Sequence, residues 1–318
     1  MEFGVKMQTV SLTMVKNEED IIETFVRYNL KSIDHMFIAD NLSTDGTLDI
    51  LKALKGEGLP ITITTDDDPA YKQNSKITAM YRKSFQQNDF EYVFLLDADE
   101  FLELDREVMI SLEESHGSGA AYYVPRIGYM YAGEVEDSPR ASFFDVMSTT
   151  DREPESDKAM IFHDAVKCRR FRIGIGSHHI TDWSQKDGPR VSIKPEKEFA
   201  LIRHFPIRSV DQYMRKSLLG WFALQLRMAG VNEPKRTIGS HWRTQYRLIL
   251  EQDCKVGPAD VISNLYGDRY AERCGKRDAL NVDFELKYSH MMRKQSLATQ
   301  IARMYENSID KMWSQVPS

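Results

Sequence analysis

Cysteine is scarce in this chain. The three in 318 residues, Cys168, Cys254 and Cys274, lie far apart, and no Cys-x-x-Cys pair occurs. An odd number of scattered cysteines excludes a disulfide framework as the basis of the fold and is typical of a reduced compartment.

Long apolar runs are also missing. Charged residues interrupt the N-terminal stretch MEFGVKMQTVSLTMVKNEED before it reaches the length of a signal peptide or a membrane-spanning helix. We therefore expect a cytoplasmic protein.

The chain has no excess of positive charge. Its 42 lysines and arginines against 48 aspartates and glutamates give a net charge of -6, which argues against nucleic acid as the main partner. The composition, with 42% hydrophobic and 28% charged residues, is that of an ordinary soluble globular protein.

The first hundred residues alternate between strand and helix patterns. Apolar residues at every second position of TVSLTMV predict a half-buried strand. After this strand, apolar residues recur at helical spacing and predict a helix, for which Asn17 is a suitable N-cap. Strands separated by helices imply βαβ units and a parallel sheet. The predicted strands are 9–15, 35–41, 61–65 and 92–97.

Polar residues follow each of these predicted strands. Because parallel sheets bind ligands beyond the carboxyl ends of their strands, we expect these residues to share one edge. The run Asp66, Asp67 and Asp68, with no evident basic partner, is predicted to be a solvated loop. The other sets are Lys16, Asn17 and Glu18, then Asp40 and Asn41, then Asp97 and Asp99.

The second half of the chain changes character. Short apolar runs predict β-hairpins from about 120 to 205, and helical patterns follow, with Ser209 and Gln212 as a capping box. We predict an α/β protein whose mixed, mostly parallel sheet is flanked by helices within residues 1–207. A helical C-terminal region is predicted at 208–318.

The stretch FLLDADEFLELD places Asp97 and Asp99 two positions apart at the mouth of a buried strand. A divalent cation stabilises two converging carboxylates, and such an oxygen-rich site suits Mg²⁺ or Mn²⁺. The alternative is a solvated acidic turn. An EF-hand is excluded because Phe101 and Leu102 occupy the fifth and sixth loop positions. A haloacid-dehalogenase-type site is excluded because its D-x-D would follow the first strand.

Three motifs in order carry a family resemblance. DNLSTDGT (40–47) resembles a nucleotide-contacting DDGSTDGT signature, and DADEF (97–101) resembles a D-x-D metal motif. RHFPIRSVDQYMRKSLLG (203–220) is similar to a His-aromatic segment followed by Ser, an amphipathic helix, Lys and Gly. Over roughly residues 8–220 the chain thus resembles the glycosyltransferase family 2-like group. That resemblance implies a GT-A fold with a nucleotide-sugar-binding catalytic domain at 1–207.

The resemblance also implies site residues. Asp40 would contact the base or ribose, Asp97 the ribose or the metal, and Asp99 would bind Mn²⁺ or Mg²⁺ directly. His204 would complete the metal shell, with His178 or His179 as rival ligands. The full set implied for the donor is Lys16, Asn17, Glu18, Asp40, Gln73 and Asp97.

The catalytic base is less well indicated. An inverting transferase needs a carboxylate that takes the proton of the acceptor hydroxyl. Asp182 is the candidate, and the pair Glu136 and Asp137 is the alternative.

We therefore expect a metal-dependent, inverting glycosyltransferase that moves a sugar from a nucleotide-sugar donor to a glycan or glycoconjugate acceptor. One alternative is a non-catalytic nucleotide-sugar-binding protein. Another is a sugar-1-phosphate nucleotidyltransferase, which would carry a glycine-rich phosphate loop where this chain has MVKNEED. The basic stretch KCRRFR (167–172) leaves open a peripheral membrane association, although an edge strand explains it as well.

Overall fold

The computed structural model describes residues 7–70, 72–116, 121–133, 149–153, 155–162, 171–182, 192–194, 198–228, 240–278, 280 and 282–314. The strands are β1 (Met7–Val15), β2 (His35–Asp40), β3 (Ile61–Thr65), β4 (Phe90–Leu95), β5 (Glu100–Leu104), β6 (Ala121–Val124), β7 (Arg126–Gly128), β8 (Thr149–Asp151), β9 (Lys158–Phe162), β10 (Phe171–Ile173), β11 (Ile180–Asp182), β12 (Ser192–Ile193), β13 (Ala200–His204) and β14 (Cys274–Arg277). The α-helices are α1 (Ile22–Asn29), α2 (Thr47–Gly56), α3 (Gln73–Gln87), α4 (Arg106–His116), α5 (Val210–Met228), α6 (Ser240–Glu251), α7 (Pro258–Tyr266), α8 (Tyr270–Arg273) and α9 (Leu297–Ser314).

The central sheet has the strand order β12-β6-β9-β4-β1-β2-β3 within the described residues. β1 pairs in parallel with β2 and β4, and β2 pairs in parallel with β3. β9 lies antiparallel between β4 and β6. The predicted mixed, mostly parallel sheet with flanking helices and a helical C-terminal region is confirmed.

Both faces of this sheet are covered. One hydrophobic cluster joins one face to α1, α2 and α4, and a second joins the other face to α3. β1 is consequently buried on both sides: Val10 and Leu12 belong to the second cluster, while Thr9, Ser11 and Thr13 are equally inaccessible. The prediction of a half-buried strand was therefore wrong. Thr9, Ser11 and Thr13 form the second face of β1, and their side chains are small enough to be buried beneath the helices that cover it.

The first helix begins later than predicted. α1 starts at Ile22, and Asn17 does not cap it. Asn17 instead adopts a left-handed backbone with φ 57°, and its side-chain oxygen accepts a hydrogen bond from the Thr44 amide at 2.8 Å. The side chain therefore joins the end of β1 to the loop after β2.

A second sheet brings a distant part of the chain to the carboxyl end of β4. Its order is β5-β13-β7, and β13 runs antiparallel to β5 with His204 opposite Glu100. Phe205 packs edge-on against Phe101 with ring centroids 5.5 Å apart. This pairing fixes the position of His204 relative to the turn that precedes β5.

The C-terminal region is mainly helical. The Ser209 hydroxyl accepts a hydrogen bond from the Gln212 amide at 3.1 Å, so half of the predicted capping box forms. Gly220 of α5 lies so close to Trp242 of α6 that an added Cβ would be 2.8 Å from the indole ring. The helices can cross at this distance only because position 220 has no side chain.

Residues 287–294 fasten the C-terminal region to α1 and α2. Glu19 accepts hydrogen bonds from the amides of Gly46, Arg293 and Lys294 at 2.8, 2.8 and 3.1 Å. Glu23 accepts two more from the same segment. The division at residue 207 stays a prediction. No helix among the described residues is long and apolar enough to cross a membrane.

We expect Glu19→Ala to lower the free energy of unfolding by about 2–3 kcal/mol, because the amides of Gly46, Arg293 and Lys294 lose a charged acceptor. Urea denaturation followed by circular dichroism measures the change. Glu251→Ala, at an exposed position of α6, is the control and should stay within about 0.5 kcal/mol of the parent protein. Equal stability of the two variants would contradict this account of the C-terminal attachment.

Candidate functional site

The acidic motif forms the turn between β4 and β5. β4 ends at Leu95 and β5 begins at Glu100, so Asp97 and Asp99 lie in the turn rather than in a continuing strand. The Glu100 amide donates to the Asp97 carbonyl at 3.0 Å, and the Asp97 amide donates to Glu100 Oε2 at 2.9 Å. The glutamate of the motif therefore closes the turn on itself.

Two cations from other strands neutralise this turn. Lys158 of β9 is only 1% exposed, and its Nζ lies 2.6 Å from Asp97 Oδ2 and 3.1 Å from Glu100 Oε2. Arg126 of β7 places Nη1 2.6 Å from Glu100 Oε1. Burial favours a raised pKa for Asp97, but the charge of Lys158 outweighs it and holds that pKa below its usual value.

Asp99 faces a different set of partners. Its side chain is 6% exposed, Oδ2 lies 2.7 Å from Lys216 Nζ, and Oδ1 lies 3.6 Å from His204 Nε2. The other ring nitrogen of His204, Nδ1, is 2.9 Å from Glu155. Burial works to lower the pKa of His204, but Asp99 and Glu155 raise it to about 9. The imidazole is therefore protonated at neutral pH in this arrangement.

Arg208 ties the start of α5 to the residues after β1. Its guanidinium lies 2.6 Å from Glu18 and 2.8 Å from Asp20, with its side chain 2% exposed. Burial nevertheless raises the pKa of Glu18 to about 7. A carboxyl group with this pKa changes charge close to physiological pH.

A cavity of about 360 Å³ lies between these elements, a size typical of a small-molecule site. The ends of β1 and β4 form one wall, and α5 and α6 form the other. Six lysines and arginines line it against three acidic residues, counted over the part of the chain that the structure describes. Basic side chains thus outnumber acidic ones on the cavity wall, in a protein whose net charge is -6. The basic residues are Lys16, Lys72, Lys76, Arg126, Arg215 and Lys216.

Most of the predicted donor residues share this cavity. Gln73 lines it and donates to Asp97 Oδ1 at 3.0 Å, and Lys16, Asn17 and Glu18 line it from the end of β1. Asp40 does not reach the cavity wall; Asn41, the next residue, does. Asp40 is 1% exposed, and within the described structure no group donates to its Oδ1.

In the aspartate run after β3, Asp67 is exposed as the sequence predicts, whereas Asp66 and Asp68 are half-buried and paired with lysines. Asp66 is paired with Lys76 at 2.5 Å, and Asp68 is paired with Lys72 at 2.9 Å. The lysines belong to α3 and the residue just before it, one helical turn apart. They were not recognised because the pairing depends on how the loop folds back onto the helix.

The remaining candidates separate clearly. His178 donates from Nδ1 to the Asp157 carbonyl at 2.8 Å, and the His179 ring lies against Gly174. His204 lies next to Asp99, and the choice among the three histidines as metal ligand stays a prediction. Asp182 ends β11, but its side chain lies outside the described residues. Glu136, Asp137 and residues 167–170 also lie outside them. The base and the basic stretch stay predictions.

Among the described residues, Asp99 and His204 are the candidate ligands of a divalent cation. Glu155 holds the Nδ1 side of His204, which leaves Nε2 directed at Asp99, and a carboxylate behind a histidine is the usual support of a metal ligand. Both oxygens of Asp97 already contact Gln73 and Lys158. Among the described residues no cluster of three or more histidine, cysteine or acidic side chains is arranged to hold a metal, so a cation here would rely on ligand oxygens and water.

The basic partners of the acidic turn were not predicted from the sequence. Lys216 lies in the segment that carries the family resemblance, but no role was assigned to it. The sequence does contain an indication for Lys158. It is the charged residue of the otherwise apolar strand KAMIF, and a charge in a buried strand requires a partner of opposite sign.

No family model and no curated protein matches this chain. Residues 1–349 of S. aureus TarS align at 11% identity over 95% of this chain and 80% of that chain, with a TM-score of 0.40. The same fragment with UDP-GlcNAc aligns at 10% identity over 95% and 82%, with a TM-score of 0.37. GalNAc-T7 with UDP, GalNAc and Mn²⁺ aligns at 9% identity over 76% and 55%, with a TM-score of 0.40. At this level of similarity, function has to come from the chain's own residues.

We expect Lys158→Met to lower the free energy of unfolding by about 3–5 kcal/mol, because Asp97 and Glu100 would lose a buried counter-charge. Chemical denaturation measures this change. Lys255→Met, at a lysine whose side chain is 82% exposed, is the matched control and should change stability by less than about 0.5 kcal/mol. A loss below about 1 kcal/mol for Lys158→Met would mean that the turn does not depend on this lysine.

Proposed function

We propose that this chain is a nucleotide-sugar-dependent glycosyltransferase, metal-dependent and inverting. The observation that carries the proposal is the positively lined cavity at the carboxyl ends of β1 and β4, with the Asp99–His204 pair inside it. A positive, partly closed cavity attracts an anionic ligand. A diphosphate carried by a nucleoside and a sugar matches its charge, and the cavity volume lies within the range of small-molecule sites.

The nucleoside would bind at the β1 and β2 ends of the cavity. Asp40 lies behind this part of the wall, where its Oδ1 is a buried acceptor to which no described group donates, so its contact with the base or ribose rests on the motif alone. Asn41, Lys16 and Gln73 would flank the nucleotide from the cavity wall. The motif comparison implies the same side of the site for the donor.

Asp99 and His204 would hold Mn²⁺ or Mg²⁺. The bound cation would neutralise charge on the departing diphosphate. Glu155 would orient His204 for this role, and Lys158 would keep Asp97 ionised and fixed beside it. Because His204 carries a proton at neutral pH in the absence of a cation, metal binding would release that proton.

The acceptor would enter beside α5 and α6, whose Leu219, Gly220 and Trp242 form the less polar part of the cavity lining. A glycan or glycoconjugate hydroxyl fits this proposal. Asp182 remains the proposed base. A cytoplasmic location remains an expectation from the sequence, which also leaves open a peripheral association with membranes.

The central experiment is a thermal-shift screen with UDP, GDP, CDP and dTDP and their sugar conjugates, each with and without Mn²⁺. We expect one nucleotide series to raise Tm by about 3–6 °C at saturating ligand, and only with Mn²⁺. Asp99→Asn should abolish the part of the shift that depends on metal, because it removes the ionised ligand.

Asp253→Asn is the control for Asp99→Asn, since Asp253 is 83% exposed and lies away from the cavity lining. Retention of the full metal-dependent shift by Asp99→Asn would contradict the assignment of the site. Release of nucleoside diphosphate on adding a glycan acceptor separates a transferase from a non-catalytic binding protein. Release of pyrophosphate from a nucleoside triphosphate and a sugar phosphate would indicate a nucleotidyltransferase instead.

Lys16 predicts a pH dependence of donor binding. Burial lowers the pKa of Lys16 to about 8, so the side chain is charged below that pH and neutral above it. Because the diphosphate remains anionic, its affinity should fall by up to about tenfold between pH 7.5 and pH 9. Lys16→Arg keeps the charge over this range and should flatten the profile. Isothermal titration at several pH values measures both, and an identical decline in the two proteins would exclude Lys16 as the cause.

A further inference from the structure

Lys216 occupies a special position on α5. Its Nζ lies 2.7 Å from Asp99 Oδ2 and 3.0 Å from the carbonyl oxygen of Pro206. The side chain is 34% exposed and lines the same cavity as the acidic turn. It is thus anchored at its charged end and still accessible to a ligand.

Lys216 can donate one more hydrogen bond than the two it makes to Asp99 and Pro206. A lysine ammonium group carries three N–H donors. Among the described residues, it donates to two acceptors, the Asp99 carboxylate and the Pro206 carbonyl. The third N–H is therefore available at the cavity, where a ligand oxygen would be its natural acceptor.

The two carboxylate oxygens of Asp99 have different partners, His204 and Lys216. Oδ1 faces His204, where a divalent cation would be held, and Oδ2 contacts Lys216. The lysine and the cation could therefore act together on opposite sides of one carboxylate, without competing for the same oxygen. Two adjacent positive charges favour a ligand with several neighbouring negative oxygens, which describes a diphosphate better than a monophosphate or a neutral sugar.

A purely structural role for Lys216 is the competing explanation. The start of α5 is, however, already attached by Arg208, which contacts Glu18 and Asp20, and by Gln212, which donates to the Pro206 carbonyl at 3.2 Å. Attachment of the helix therefore does not require a lysine at position 216.

We propose that Lys216 is a diphosphate-binding residue: anchored by Asp99 and Pro206, it donates its remaining N–H to a phosphate oxygen of a nucleoside diphosphate. This inference rests on the proposed function and adds a specific contact from the C-terminal region to it. Lys216 would then make the affinity depend on the number of phosphates and not on the nucleoside.

The test measures binding by isothermal titration with UDP, GDP, CDP and dTDP, the matching monophosphates and the matching nucleosides, each with and without Mn²⁺. Lys216→Met should weaken diphosphate binding about ten- to hundredfold, weaken monophosphate binding less, and leave nucleoside binding unchanged. Lys216→Arg should recover part of the loss. Lys255→Met, at an exposed lysine, is the control and should bind like the parent protein.

Lys216→Gln is a second variant in case the methionine variant does not fold, because an amide can still donate to Asp99 while the charge is lost. An equal loss for nucleoside and diphosphate, or no loss in either variant, would overturn the proposal while leaving the proposed function intact. If the parent protein binds none of the four nucleoside diphosphates, the proposed function fails, and the role of Lys216 fails with it.

Discussion

The buried carboxylate of Glu100 is the interaction on which the site depends. It is fully inaccessible, yet it accepts the Asp97 amide and contacts both Arg126 and Lys158. An unpaired charge at this depth would be very unfavourable, so the acid and the two bases must be buried together. The same carboxylate sets the shape of the turn that directs Asp97 and Asp99 toward the cavity. The stability of the turn and the geometry of the site therefore have one common cause.

This constraint links parts of the chain that are distant in sequence. The contact of Arg126 with Glu100 spans 26 residues, that of Lys158 with Asp97 spans 61, and that of Lys216 with Asp99 spans 117. Each base comes from a different element: β7, β9 and α5. The cavity consequently takes its charge pattern only when the second sheet and α5 are docked on the central sheet. Folding of the C-terminal region and formation of the site are thus coupled.

The range of these contacts explains what could be predicted. The position of Asp97, Asp99 and Lys16 at one edge followed from strand and helix periodicity, which is local information, whereas Gln73 was implied only by the family resemblance. The mostly parallel sheet is confirmed. The order of strands around β9 and the partners of the acids were not predictable, because pairing across many residues leaves no periodic signal. The burial of Ser11 and Thr13 was missed for a similar reason: small hydroxyl residues resemble a solvent face until the covering helix is known.

The crowding of acids in DADEF also has a physical explanation in this arrangement. Three carboxylates without partners would repel an anionic ligand as well as one another. Here Lys158 and Arg126 neutralise two of them, while Asp99 is shared between Lys216 and His204. Each acid therefore fixes the position of at least one cation at or beneath the cavity wall. Among the other lining residues, basic side chains outnumber acidic ones. The acids hold a set of positive groups in fixed geometry, and an anionic ligand meets that set with little cost of reorganisation.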